Sequence, residues 1–97
     1  MKEGDKMSYI VKNVPNTSND PLPEGCNCWL DYWERKQQRR AYRCAKCGAT
    51  HNLVGAHVYA RTAGGRLAIF IVPLCDSCNK ISPNREFSVD LEPVFLR

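Results

Sequence analysis

Four cysteines in two matched pairs, Cys44-x2-Cys47 and Cys75-x2-Cys78, are the residues of this 97-residue chain whose types and spacing imply chemistry most directly. Two residues between thiols let one tight turn aim both sulfurs at a common point. Gly48, directly after the first pair, supplies the backbone freedom that such a turn uses. Four thiolates match the tetrahedral preference of zinc and leave no open coordination position, so the expected site is structural and holds one Zn2+. The competing chemistry is a pair of dithiol redox motifs. That reading needs an activated cysteine at a helix start inside a thioredoxin-like βαβ unit, and the chain lacks that pattern. Cys26 and Cys28 are left over, with two readings. They join a second metal site completed by His51 or His57 and another donor, or they are free thiols packed beside Trp29. The second reading is favoured because it needs no missing ligand.

The elements that must position these thiols follow from local pattern. Residues 52–60, "NLVGAHVYA", and 66–74, "RLAIFIVPL", are apolar, partly β-branched runs divided by "RTAGG". A Gly-Gly turn between two such runs predicts a β-hairpin that links the two cysteine pairs. "CDSCNKISPN" predicts a short helix limited by Pro83, and "EFSVDLEPVFLR" a short closing strand or apolar tail. Upstream, Trp29, Leu30, Tyr32 and Trp33 fall at helical spacing in "WLDYWERKQQRR". This predicts a helix over 29–40, capped by Asn27, with one aromatic face docked on the core and a basic C-terminal end. "NVPNTSNDPLPEGCNC" is dense in Asn, Pro, Ser and Gly and has no apolar period, so it reads as loop. The expected organisation is an extended or loop-rich arm over 1–28 and one zinc-binding domain over 29–97. The fold class is α+β.

A chain this short buries a modest share of its surface, which makes a metal clamp useful. The composition, 43% hydrophobic and 25% charged, is neither that of a disordered nor of a membrane chain. The start, "MKEGDKMSYIVKNV", has no apolar core and no small-residue cleavage site, so no secretory leader is expected there. A reducing, cytoplasmic setting is the corresponding expectation, in which cysteines bind metal or stay free. The net charge of +4 is concentrated in residues 29–51, where six Lys and Arg stand against two acids. Arg35, Lys36, Arg39, Arg40, Arg43 and Lys46 form this block, and Arg61, Arg66 and Lys80 flank the hairpin and the second knuckle. Such a block suits a phosphate backbone, and it also suits an ordinary solvated helix end.

The succession "CAKCG", "LVGAHV", "GG", "IVPLCDSCNK", over about residues 43–82, resembles a treble-clef zinc finger. More closely, it resembles the HNH nucleases of the ββα-metal class. The resemblance implies that the four cysteines are a structural zinc set. It also implies that His57 is the base that activates water and that Asn79 is a ligand of a catalytic Mg2+ or Mn2+. Two positions depart from the family. Ala56 stands where its first metal ligand belongs, and Phe70 stands near its orienting Asn. Asp76 and Asp90 are acids that could substitute. Magnesium sites usually combine carboxylates with substrate oxygens, so a carboxamide alone supplies too little.

The reading reached from the sequence is therefore a zinc-stabilised nucleic-acid-binding module on an HNH-like frame, with DNA favoured over RNA as partner. Two alternatives stand beside it. One is an active divalent-metal-dependent endonuclease using His57. The other is a structural or protein-interaction zinc finger that meets a partner through helix 29–34 or arm 13–28. His57 has two further readings, a zinc ligand and a packed strand histidine, of which the packed histidine is favoured over either chemical role, and His51 is expected in solvent. No membrane partner is expected, since no apolar run approaches a spanning length.

Overall fold

A computed structural model describes residues 8–17 and 20–97. The elements are β1 (Tyr9–Asn13), α1 (Trp29–Gln37), β2 (Leu53–Arg61), β3 (Leu67–Cys75), α2 (Asp76–Asn79), β4 (Phe87–Val89) and β5 (Val94–Phe95). The antiparallel β2–β3 hairpin is the spine, paired in unbroken register from Leu53↔Cys75 to Arg61↔Leu67. Its turn closes through Thr62 N–H to Arg66 O at 2.8 Å and Gly65 N–H to Thr62 O at 2.8 Å. Gly65 sits at φ +86°, the left-handed position that a turn of this length requires.

Five strands form one sheet in the order β4-β1-β2-β3-β5. Within the expected arm over 1–28, residues 9–13 depart from loop, while the described residues 14–17 and 20–28 are loop. Tyr9–Asn13 is an internal strand, paired to β2 through Lys12↔Tyr59 and Asn13↔Val58 and to β4 through Tyr9↔Val89, Ile10↔Ser88 and Val11↔Phe87. The reason lies in its alternation: Val11 and Asn13 are buried on one face while Ile10 faces solvent. Asn13 earns its buried place by donating from Nδ2 to the carbonyls of Cys78 (3.1 Å) and Ile81 (3.0 Å), which ties β1 to α2. Residues 1–7, and with them the reading of the chain's start, lie outside the described residues. The "closing strand" becomes two short strands, β4 on β1 and β5 on β3.

α1 ends at Gln37, three residues before its expected end, because Gln38 takes a left-handed cap (φ 59°). Cys28, not Asn27, is its N-cap. The orphan amide of Asn27 is satisfied instead by Asp31, whose carboxylate reaches back to it at 3.1 Å. Asp31 is held below the usual carboxylate range by this amide and by Arg35. The aromatic face docks as expected. Trp33 is 1% exposed, and its Nε1–H donates to Glu92 O at 2.9 Å. Tyr32 Oη donates to Phe95 O at 3.1 Å, so one turn of α1 holds the C-terminal tail at two points. The helix starts directly over Gly55 of β2. A Cβ there would lie inside the van der Waals envelope of the Trp29 and Leu30 backbone, 2.6 Å from the Trp29 carbonyl oxygen. No helix among the described residues is long and apolar enough to cross a membrane.

Candidate metal centre

The first cysteine pair lies on a turn whose backbone is tied to the sheet. Ala45 N–H donates to Pro73 O of β3 at 2.9 Å, and Ala45 O accepts from Asp90 N–H at 3.0 Å. Within the turn, Cys44 N–H bonds Ala49 O (2.7 Å) and Gly48 N–H bonds Cys44 O (3.0 Å), with Gly48 at φ +84°. The amides of Lys46 and Cys47 point at Cys44 Sγ, at 3.4 and 3.5 Å. The second pair needs less apparatus. Cys75 is the last residue of β3 and the N-cap of α2, and Cys78 lies one helical turn on. The hairpin register and the Ala45 bonds thus bring two turns together from opposite ends of the spacer.

All four Sγ atoms lie within 4.8 Å of one another, and Cys47 Sγ and Cys75 Sγ are 3.7 Å apart. A disulfide would need about 2.05 Å. A tetrahedron with metal–sulfur bonds of about 2.3 Å places its sulfurs about 3.8 Å apart. The group can hold a metal ion, and its donor set and spacing are consistent with one structural zinc. Cys44, Cys75 and Cys78 are buried, and Cys47 faces solvent. The electrostatics agree. Burial opposes ionisation of Cys44, but the amides of Cys47, Cys75 and Lys46 outweigh it and pull the thiol down. Burial and the neighbouring Cys75, Cys44 and Cys47 push Cys78 well up. One thiol ionises readily and the next resists, so a divalent cation is what would let the whole set carry its charge.

Among the described residues no second group of three or more His, Cys, Asp and Glu converges. Cys26 is half-buried and Cys28 exposed, and both are free. His51 is exposed, as expected.

His57 is 5% exposed, under the edge of Trp29 with ring centroids 4.6 Å apart. Its Nε2 lies 3.4 Å from Asp20 Oδ2 yet makes no hydrogen bond. Asp20 is in turn paired with Arg97 at 2.9 Å. Burial lowers the His57 pKa; Asp20 opposes this and Arg97 adds to it, so the imidazole is neutral at neutral pH. A cavity of about 200 Å³ beside β2 is lined by His57, Asn79, Thr17 and Trp29, so His57 and Asn79 border one cavity. It opens where β1 ends: Val14 N–H bonds His57 O at 3.0 Å, and β2 from Leu53 to Ala56 has no strand partner on that side among the described residues. The substitute acids Asp76 and Asp90 are engaged elsewhere, with Lys80 and Arg43. The acid that reaches His57 is Asp20, from the loop. Phe70 stacks edge-on against Phe95 and brings no polar group.

The nine cations proposed for phosphate contact divide into two sets. Arg35, Arg40, Arg43 and Lys80 pair with Asp31, Glu34, Asp90 and Asp76. Lys36 and Arg39 lie over the rings of Tyr32 and Trp33, Arg61 donates to Gly65 O, and Lys46 and Arg66 are exposed. These five make no ion pair among the described residues.

No family model, curated protein or solved structure matches this chain.

Proposed function

We propose that the protein is a zinc-stabilised nucleic-acid-binding module on an HNH-like frame, held together by one Zn2+ on Cys44, Cys47, Cys75 and Cys78, and not an efficient nuclease. The observation that carries this reading is the set of exposed cations that make no ion pair among the described residues, Lys36, Arg39, Lys46, Arg61 and Arg66. They stand on segments that the thiol cluster, the docked helix and the hairpin hold in place. Phosphate contacts from such cations give affinity with little sequence information. DNA is the expected target.

The test is fluorescence anisotropy of a labelled DNA against salt. Affinity is expected to fall steeply between about 50 and 200 mM salt. Changing Lys36, Arg39 and Lys46 together to Gln is expected to flatten the log–log slope by about 3, at roughly 0.9 per phosphate contact. An affinity that salt leaves unchanged contradicts the reading.

A second reading, an active endonuclease, is favoured by the shared cavity of His57 and Asn79. Asn79, which lines the same cavity, and Asp20, 3.4 Å from His57 Nε2, are oxygen donors that could hold Mg2+ or Mn2+, which would stabilise charge on a scissile phosphate. His57, neutral, would take the proton from water. Against efficient cleavage stand Ala56, which ligates nothing, the cover of Trp29, and Arg97, which competes for Asp20. Plasmid DNA incubated with either ion is therefore expected to stay un-nicked. Nicking that disappears in His57→Ala would establish the second reading. A protein-interaction role through the aromatic helix has less support, because Trp33 is buried and Trp29 is half-buried, packed against Tyr32 and His57.

A further inference from the structure

β1 serves two partners, and where it leaves β2 for β4 a cavity of about 660 Å³ opens, within the range usual for ligand sites. Ile10, Lys12, Tyr59, Arg61, Leu67 and Glu86 are among the residues that line it. Lys12 is the cross-strand partner of Tyr59, and Arg61 of Leu67, so these side chains project from one face of the sheet. It is the face that α1 covers at Gly55 and His57 and leaves bare two residues further on. Ile10 and Leu67 are 57% and 58% exposed there, and Tyr59 is half-buried. Two cations stand against one acid. Neither Lys12 nor Arg61 makes an ion pair among the described residues, and Arg61 is held beside the hairpin turn by its bond to Gly65 O at 2.9 Å.

We propose that this cleft is a platform for single-stranded nucleic acid, with a base lying on Tyr59 between Ile10 and Leu67 and the flanking phosphates on Lys12 and Arg61. The proposal rests on the reading that the protein binds nucleic acid, and it adds the place and the form bound. An apolar floor between two cations suits a polyanion that carries flat apolar faces. A duplex keeps those faces stacked inside and offers its phosphates and base edges, whereas a single strand can lay a base on an aromatic ring.

The test compares binding of the metal-loaded full chain to a labelled 15-nucleotide oligo-dT and to a duplex of equal length. The single strand is expected to bind more tightly. Tyr59→Ala is expected to weaken its binding by about 5- to 150-fold, as loss of one stacked base does, while Tyr59→Phe retains it. Lys12→Gln, at a half-buried position, and Arg61→Gln, at an exposed one, should each lower the salt slope by about 0.7 while leaving the circular-dichroism spectrum of the fold unchanged. In amide NMR spectra, shifts on adding the oligonucleotide should centre on residues 10–12, 59–61 and 67. If those three substitutions leave single-strand affinity unchanged while the Lys36, Arg39 and Lys46 substitutions abolish it, the platform is overturned and nucleic-acid binding stands. If neither single strand nor duplex binds, both fall. If the same amides shift with protein concentration alone, the face belongs to a second copy of the chain and the platform is again overturned.

Discussion

Cys44→Ser is expected to abolish cooperative folding, and a chelator should do the same to the unaltered protein. The magnitude follows from the coupling of metal binding to folding. Zinc contributes about 10–16 kcal/mol of apparent free energy in small thiolate sites, against a net stability of about 5–15 kcal/mol for an ordinary domain. Cys44 is the thiol on which the cluster leans most, being fully buried and approached by the amides of Lys46 and Cys47. Losing it frees the turn that carries Ala45. Ala45 is bonded both to Pro73 of β3 and to Asp90 of the tail, so β3 and the tail loosen with it. The measurement is far-ultraviolet circular dichroism on urea titration, with and without chelator. Restored signal on adding zinc back to the unaltered chain, and none for Cys44→Ser, completes the expectation. A reduced, chelated protein that still unfolds cooperatively at an unchanged urea midpoint contradicts it.

Gly55→Ala is expected to cost about 3 kcal/mol or more, a fall in Tm of about 12–24 °C for a domain of this size. The added methyl would meet the backbone of Trp29 and Leu30, not the yielding end of a side chain. Relief requires α1 to retreat by about 1 Å, and packed atoms forfeit much of their attraction over such a gap. The retreat strains everything α1 holds: Trp33 in the core with its bond to Glu92, Tyr32 with its bond to Phe95, and Trp29 on His57. Gly64→Ala is the control, since its nearest neighbour would be a hydroxyl 4.0 Å away and its φ is not positive. It should be neutral. Equal melting temperatures for the two variants would show that α1 is not seated on β2 as described.

What could be read from residue order and what could not have a common physical basis. The paired cysteines and the Gly-Gly turn encode geometry over a few residues, so two knuckles and the hairpin between them were legible. The aromatic face of α1 was legible too, since helical spacing alone places Trp29, Tyr32 and Trp33 together. β1 was not: five residues bordered by an Asn- and Pro-rich stretch give little local signal, and the strand exists because β2 and β4 pair with it. Asp20 was missed for the same reason. It reaches His57 only because the loop after β1 folds back over the end of β2, which no spacing rule reveals. The helix cap slipped by one residue, because Asp31 satisfies the Asn27 amide from inside the helix.

Native mass spectrometry of the reduced protein, with thiol counting before and after chelation, tests the tetrathiolate clamp most directly. The account predicts one zinc per chain, four thiols that become reactive only when the metal is removed, and loss of the ion in Cys44→Ser. A folded chain that carries no metal, with all six cysteines equally reactive, would contradict it.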